Sequence, residues 1–306
     1  MTEKAVLPKQ FELTYRHGVV LVLLAGVFWS TMGLGIRNVA DANSWQLLIY
    51  RSFSLSTFLF FILAIRSSGK PMQRIRQAGL AGVIGAWGLV IAFSGGVYAI
   101  QETTVANAML LFAAAPFVAA VLGWIILKEA VSRTTWIAMF FAMIGITVMV
   151  AEGFSAGKVS GNIAAIASAM GFAVFSIALR WGRLGDMMPA VFLAGIFTTI
   201  TSFIICWLND YPLILTMNDA TIAMILGVFQ VGVGLTLYTL GSKVIPAAQL
   251  TLLSMTEVIL GPFWVWLFLN ETFSIYTFIG GVILILAIAY NALNGLRLAP
   301  SALQKM

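Results

Sequence analysis

The chain has 306 residues, 61% of them hydrophobic and only 9% charged. Soluble chains run at about 45–50% apolar and ~25% charged, so a soluble protein is excluded. The net charge of +6 would allow an anionic partner such as nucleic acid, but the placement of the basic residues accounts for it without one.

Runs long enough to cross a ~30 Å hydrocarbon core as helices fall near 17–36, 45–65, 78–100, 104–127, 134–151, 160–180, 189–208, 220–242, 246–269 and 274–295. The segments between them are short, which puts any chemistry among the helices. The first run is too long for the core of a secretory signal, lacks a clear A-x-A cleavage site and is followed by further spans, so it reads as a retained helix. With the N-terminus assigned to the cytoplasm, alternation places every Lys and Arg inside except three: Arg37 and Lys158 fall outside and Arg51 lies within the second span. One miscounted span would scramble this positive-inside asymmetry.

The ten runs divide into two similar halves of five. Residues 106–129 (ANAMLLFAAAPFVAAVLGWIILKE) align with 248–271 (AQLTLLSMTEVILGPFWVWLFLNE) at a constant offset of 142, which sets Ala106 on Ala248, Asn107 on Gln249 and Glu129 on Glu271. Towards the front of each half, Gly18…Ile36-Arg37 lies over Gly161…Leu179-Arg180 at an offset of 143. A five-helix unit repeated once enters its second copy from the opposite side of the membrane. Inverted repeats of this kind are a usual build of alternating-access carriers.

Candidate residues follow in chain order. Span one offers Gly26, Trp29, Ser30 and Gly33, and span three offers Trp87, Ser94 and Tyr98 on roughly one face. Rings and a few donors of this kind line small-molecule pockets, although Trp and Tyr also favour span ends. Arg51 sits about six residues inside span two, roughly 9 Å deep at 1.5 Å per residue. A structural role is expected for it, through snorkelling to the outer interface or pairing with Asp41 or Glu102. Gly79, Gly82, Gly85 and Gly88 recur every three residues in span three and read as a packing ridge. Asn107 and Gln249 occupy equivalent places near the starts of spans four and nine, suited to gating hydrogen bonds or to interfacial solvation. Pro116 and Pro262 should bend those two spans. Span eight carries Gln230, Gly234 and Tyr238 on one stripe.

Glu257 is the sharpest single signal, near the middle of span nine. A carboxylate at that depth costs roughly 2.5–3.5 kcal/mol on insertion scales, so it should face a cavity or a partner, where it could take a proton or meet a substrate ammonium group. A protonated Glu bonded to a neighbouring helix is the structural alternative. Its counterpart in the first half is Ala115, so the carboxylate breaks the repeat. Trp29, Trp87, Tyr98, Gln230, Tyr238 and Glu257 are expected to converge on one central chamber.

The ends of the repeat carry a family pattern: Lys128-Glu129-Ala130-Val131 followed by Trp136…Gly145-Ile146, and Asn270-Glu271-Thr272-Phe273 followed by Gly280-Gly281. This resembles the doubled EamA domain of the drug/metabolite transporter superfamily. Arg51 in LLIYRSF resembles the Arg often found early in the second helix of such units, and Phe28-Trp29-Ser30-Thr31-Met32…Arg37 resembles the opening of the aromatic amino-acid exporters. The resemblance implies an all-α integral membrane protein of ten transmembrane helices, built as two inverted five-helix EamA repeats around a central cavity. It divides the chain into a cytoplasmic tail over 1–16, a first EamA repeat over 17–151, a second over 160–295 and a cytoplasmic tail over 296–306.

No enzyme signature is present. His17 is the only histidine and Cys206 the only cysteine, so no multi-histidine metal site or intrachain disulfide can form. No Walker loop appears, and no cofactor is expected. The expected function is secondary-active export of small amphipathic metabolites such as amino acids by alternating access, in a bacterial inner membrane with both termini cytoplasmic. Its expected partners are a small-molecule substrate, the lipid bilayer and, as a candidate coupling ion, the proton; the chain should be a monomer or weak homodimer. The alternatives are a proton-coupled exporter of organic cations or drugs and a non-transport membrane enzyme or accessory subunit. Substrate candidates are Trp29, Ser30, Trp87, Tyr98, Asn107, Gln230, Tyr238, Gln249 and Glu257.

Overall fold

The structure, a computed structural model, describes residues 13–67, 69–128, 130–155, 159–182, 186–241, 244 and 247–298, with the side chains of all these except 150–155, 247–252, 254–255 and 291–298. Every regular element among the described residues is a helix. The first half holds α1 (Tyr15–Arg37), α2 (Ser44–Arg66), α3 (Pro71–Gln77), α4 (Gly79–Glu102), α5 (Val105–Phe112), α6 (Ala115–Leu127) and α7 (Arg133–Ser155). The second holds α8 (Val159–Trp181), α9 (Met188–Leu208), α10 (Met217–Ile225), a π-helical segment (Leu226–Val233), α11 (Gly234–Gly241), α12 (Ala247–Leu269) and α13 (Ile275–Leu298). Seven helical stretches among the described residues are long and apolar enough to cross a membrane, and α7, α12 and α13 carry shorter apolar stretches.

Helix starts follow local chemistry. Asn43 accepts from the amides of Trp45 and Gln46 while Gln46 accepts from the Asn43 amide at 2.9 Å, which satisfies orphan donors of the first turn of α2. Thr14, Thr104 and Thr216 likewise accept from first-turn amides of α1, α5 and α10, and Pro189 sits in the first turn of α9, where its missing N–H costs nothing.

The two prolines, one turn apart in the repeat alignment, act differently. The span expected over 104–127 is divided into α5 and α6 at Ala113–Ala114, because Pro116 has no N–H to offer the Phe112 carbonyl. In contrast, α12 runs on as one helix through Pro262, so the span is divided at its proline in one repeat only. The repeat reappears at the far ends of these helices: Lys128 and Asn270, 142 residues apart, both hold the left-handed conformation, at φ 57° and 53°. A non-glycine residue pays for that conformation, so its recurrence at equivalent positions reflects one shared helix-ending geometry.

Packing exchanges helices between the halves. The most extensive contacts join α4 to α8, α7 to α13, α1 to α12, and α2 to α9, with α1 also against α11. Small residues allow the closest approaches. A Cβ on Gly171 would lie 2.5 Å from the Gly88 carbonyl oxygen and 2.7 Å from the Ala92 nitrogen; one on Gly145 would lie 2.6 Å from the Gly280 oxygen. Within the glycine ridge of span three, Gly85 and Gly88 face α8, whereas Gly79 meets nothing within 4 Å. Gly171→Val should therefore cost about 1–3 kcal/mol by overpacking, read as a lowered unfolding temperature in detergent. An unchanged temperature would show that α4 and α8 separate freely.

Candidate functional site

At mid-bundle the elements of both halves meet around Trp29 of α1. Its ring lies 5.2 Å from that of Tyr238 on α11, and its carbonyl accepts from Gln230 Nε2 at 3.5 Å. Gly234 is pressed against the indole, since a Cβ there would sit 2.4 Å from Trp29 Nε1. The stripe Gln230, Gly234 and Tyr238 thus comes together on one tryptophan, with Gln230 on a π-helical turn that the expectation of a plain α-helix did not include and Gly234 and Tyr238 on α11 after it. Such turns recur at functional sites because they re-aim side chains.

Around this core the structure adds groups from three more helices. Ser30 donates to the Val27 carbonyl at 2.7 Å and accepts from Trp264 Nε1 of α12 at 2.9 Å. Glu257 is half-buried on α12, beside α1, where a Cβ on Gly26 would lie 3.6 Å from the Glu257 nitrogen. Arg51 of α2 is 3% exposed; its Nη2 donates to Gln230 Oε1 at 3.0 Å and its guanidinium stands 5.2 Å over the Phe93 ring of α4. The expected snorkelling of Arg51, or its pairing with Asp41 or Glu102, is therefore corrected. The side chain turns inward because Gln230 and Phe93 supply a bond and a π-face there.

Other nominated residues lie elsewhere. Trp87 is 49% exposed and stacks on Phe197 at 5.3 Å, so it does not join the expected chamber; its side of α4 faces outward. Tyr98 is half-buried and makes no bond or ring contact with the Trp29 cluster among the described residues. Asn107 is buried, and its Nδ2 donates to Thr103 Oγ1 at 3.3 Å and to Asn162 Oδ1 of α8. The side chain of Gln249 lies outside the described residues, as does Glu129. An apolar crevice of about 610 Å³ opens between α5, α12 and α13, lined by groups such as Leu110, Pro262, Phe263 and Phe278. None of the nominated residues lines it.

One end of the bundle is tied shut by polar groups. Arg37, closing α1, pairs with Glu271 after α12 at 2.8 Å and donates to the Thr103 carbonyl at 2.5 Å, while Glu271 also accepts from the Val105 amide at 2.7 Å. Asp219, fully buried at the start of α10, accepts from the amides of Ala40, Asp41 and Ala42 at 3.1, 3.0 and 3.1 Å. Ser44 bonds to Gln101, and Gln46 donates to the Pro212 carbonyl at 2.5 Å. Sequence reasoning gave Glu271 a helix-end role and passed over Asp219 and Trp264. Asp219 follows Thr216 in a capping pattern, which masks its long-range partners.

Apolar helices of membrane length, in two matching halves that meet around a half-buried carboxylate and a buried guanidinium, make up a membrane transport protein rather than an enzyme. The chain belongs to the EamA-like transporter family, which it matches over residues 16–151 and 159–293. It is 25% identical over 281 residues to the pseudopaline exporter CntI of Pseudomonas aeruginosa, covering 89% of this chain and 94% of that one. It is 23% identical over 289 residues to human solute carrier family 35 member G1, covering 88% and 77%. A solved crystal structure superposes with a TM-score of 0.65 at 20% identity, over 92% of this chain and 98% of the other. That likeness concerns the fold.

Proposed function

We propose that the chain is a secondary carrier that exports small amphipathic metabolites, amino acids among them, by alternating access. The supporting observation is the Trp29–Gln230–Tyr238–Glu257 cluster, which places aromatic faces, an amide and one carboxylate where α1 meets α11 and α12. The positive-inside count supports ten spans, inverted halves over 17–151 and 160–295, and cytoplasmic tails over 1–16 and 296–306 in a bacterial inner membrane. Protons are the proposed coupling ion, and a monomer or weak homodimer the proposed assembly. The CntI relative is named for pseudopaline export, which supports the outward direction. Cells making the protein should outgrow controls on toxic amino-acid analogues such as p-fluorophenylalanine. Equal growth across a panel of such analogues would count against amino acids as cargo.

A second reading, export of organic cations, is favoured by a carboxylate, Glu257, on the helix that packs against α1, which carries Trp29 of the Trp29–Tyr238 ring pair, since aromatic faces suit cation–π recognition. Resistance to ethidium without resistance to the analogues would select it.

In this cycle the Arg37 end, outside by the charge count, must open to release cargo. Arg37–Glu271 joins α1 of the first repeat to the end of α12 in the second, so it is proposed as the outer latch. Arg180 and Glu129 occupy the equivalent sequence positions at the other end, as an inverted repeat requires. In a Cys206→Ala background, a Ser30→Cys reporter should label with membrane-impermeant maleimide about 5- to 30-fold faster when Glu271→Ala is added, as expected for a coupling of 1–2 kcal/mol. Unchanged labelling would remove the latch.

A further inference from the structure

We propose that Arg51 is the anchor for the substrate's carboxylate, which makes the cargo a carboxylate-bearing molecule and, with Glu257 opposite, a zwitterion. The inference rests on the transport reading above and assigns the second charge of that site. A guanidinium carries five N–H donors in a rigid fork. Arg51 is 3% exposed, deep in a helix that is otherwise apolar or hydroxylic at that level, and it uses only Nη2, on Gln230 Oε1 at 3.0 Å. Its Nε and Nη1 have no hydrogen-bond partner among the described residues. Both ion pairs among those residues belong to other arginines, Arg37 with Glu271 and Arg74 with Asp186.

A buried charge without a counter-charge is costly, and neither the neutral Gln230 amide nor the Phe93 ring supplies a negative charge. The donors left over match a carboxylate, which takes two parallel N–H bonds from one guanidinium. A phosphate would call for further cations, and Arg51 is the one Lys or Arg that falls in the interior of a span rather than at its end. Its placement is built in. Gly227 of the π-helical segment lies so close to α2 that a Cβ would stand 2.1 Å from the Arg51 carbonyl oxygen. Gln230, three residues on, holds the guanidinium on one side and reaches the Trp29 carbonyl on the other. The contacts Arg51–Gln230–Trp29–Tyr238 therefore lead from the guanidinium to aromatic rings suited to an apolar side chain, and Glu257 stands on α12 against α1, the helix that carries Trp29.

The test uses purified full-length protein in lipid nanodiscs and tryptophan fluorescence, since Trp29 sits in the cluster. Three probes are titrated: L-phenylalanine, 3-phenylpropionate, which lacks the ammonium group, and phenethylamine, which lacks the carboxylate. Arg51→Gln should weaken the two carboxylate probes by about tenfold or more, the scale of a charge-assisted contact, and leave phenethylamine unchanged. Because Arg51→Gln also removes a packed side chain, Gln230→Glu serves as a second variant. It keeps the arginine and gives it an internal counter-charge, so it should fold at least as stably and still lose the carboxylate probes. Equal weakening of all three probes, or of none, in the folded variants overturns the proposal. If the wild type binds phenethylamine alone, the Arg51 proposal falls while the Glu257 reading stands; binding of 3-phenylpropionate alone does the reverse, and binding of no probe overturns both.

Discussion

Asp219→Ala is expected to destabilise the protein by about 2–4 kcal/mol, a large effect for one surface-loop anchor. The carboxylate is fully buried and gathers the amides of Ala40, Asp41 and Ala42, three successive donors in the turn between α1 and α2. Hydrogen bonds to a charged acceptor are each worth more than neutral ones, and losing the acceptor leaves three amides to find water. The lower end of the range applies if water reaches them from the adjacent loop. Asp219→Asn should cost about half as much, because its amide nitrogen can no longer accept. Chemical unfolding in detergent followed by circular dichroism measures both. A loss below about 0.5 kcal/mol for the alanine variant would mean that the turn holds its shape without this pin.

Glu257→Gln is expected to abolish transport driven by a proton gradient while leaving insertion and folding intact. The amide keeps the shape and most of the hydrogen bonding of a protonated carboxyl but cannot change charge. If Glu257 carries the coupling proton, wild-type export should quicken as the outer side is made acid, since protonation there drives the return step. The variant should lose that dependence and keep gradient-free exchange of labelled L-phenylalanine in proteoliposomes. If Glu257 instead meets a substrate ammonium, exchange should fall too, with binding weakened by about 10- to 100-fold. Unchanged export and exchange would leave Glu257 as a packing residue, held against α1 by the close approach at Gly26.

The cluster also shows how far a membrane sequence can be read. Glu257 stands out because a carboxylate in an apolar run has no cheap explanation. Gln230, Gly234 and Tyr238 were legible as a stripe, although for an incomplete reason: Gln230 reaches Trp29 from a π-helical turn that leaves no periodic signature and that lies against α2 at Gly227. Trp87 has the same composition signal as Trp29 and a different fate. Along an almost wholly apolar helix, hydrophobicity does not separate the lipid-facing side from the protein-facing side, because lipid is as apolar as a core. Arg51 was misread on the same ground, since depth alone does not say whether a long side chain runs outward or inward.

Composition, the spacing of apolar runs and the doubled helix-end pattern were enough to determine an all-helical membrane transporter of the EamA-like family. These follow from the bilayer, which demands a length of about 20 apolar residues and internally satisfied backbone bonds, whatever the neighbours. Tertiary structure alone decided which helices of one half lie against the other, that Arg37 meets Glu271 and that Asp219 holds the turn before α2. Arg37 and Glu271 are separated by 234 residues, and only packing sets such a meeting: glycines let α4 approach α8 and α7 approach α13 to backbone contact, and the polar ends then find whatever the assembled bundle places beside them.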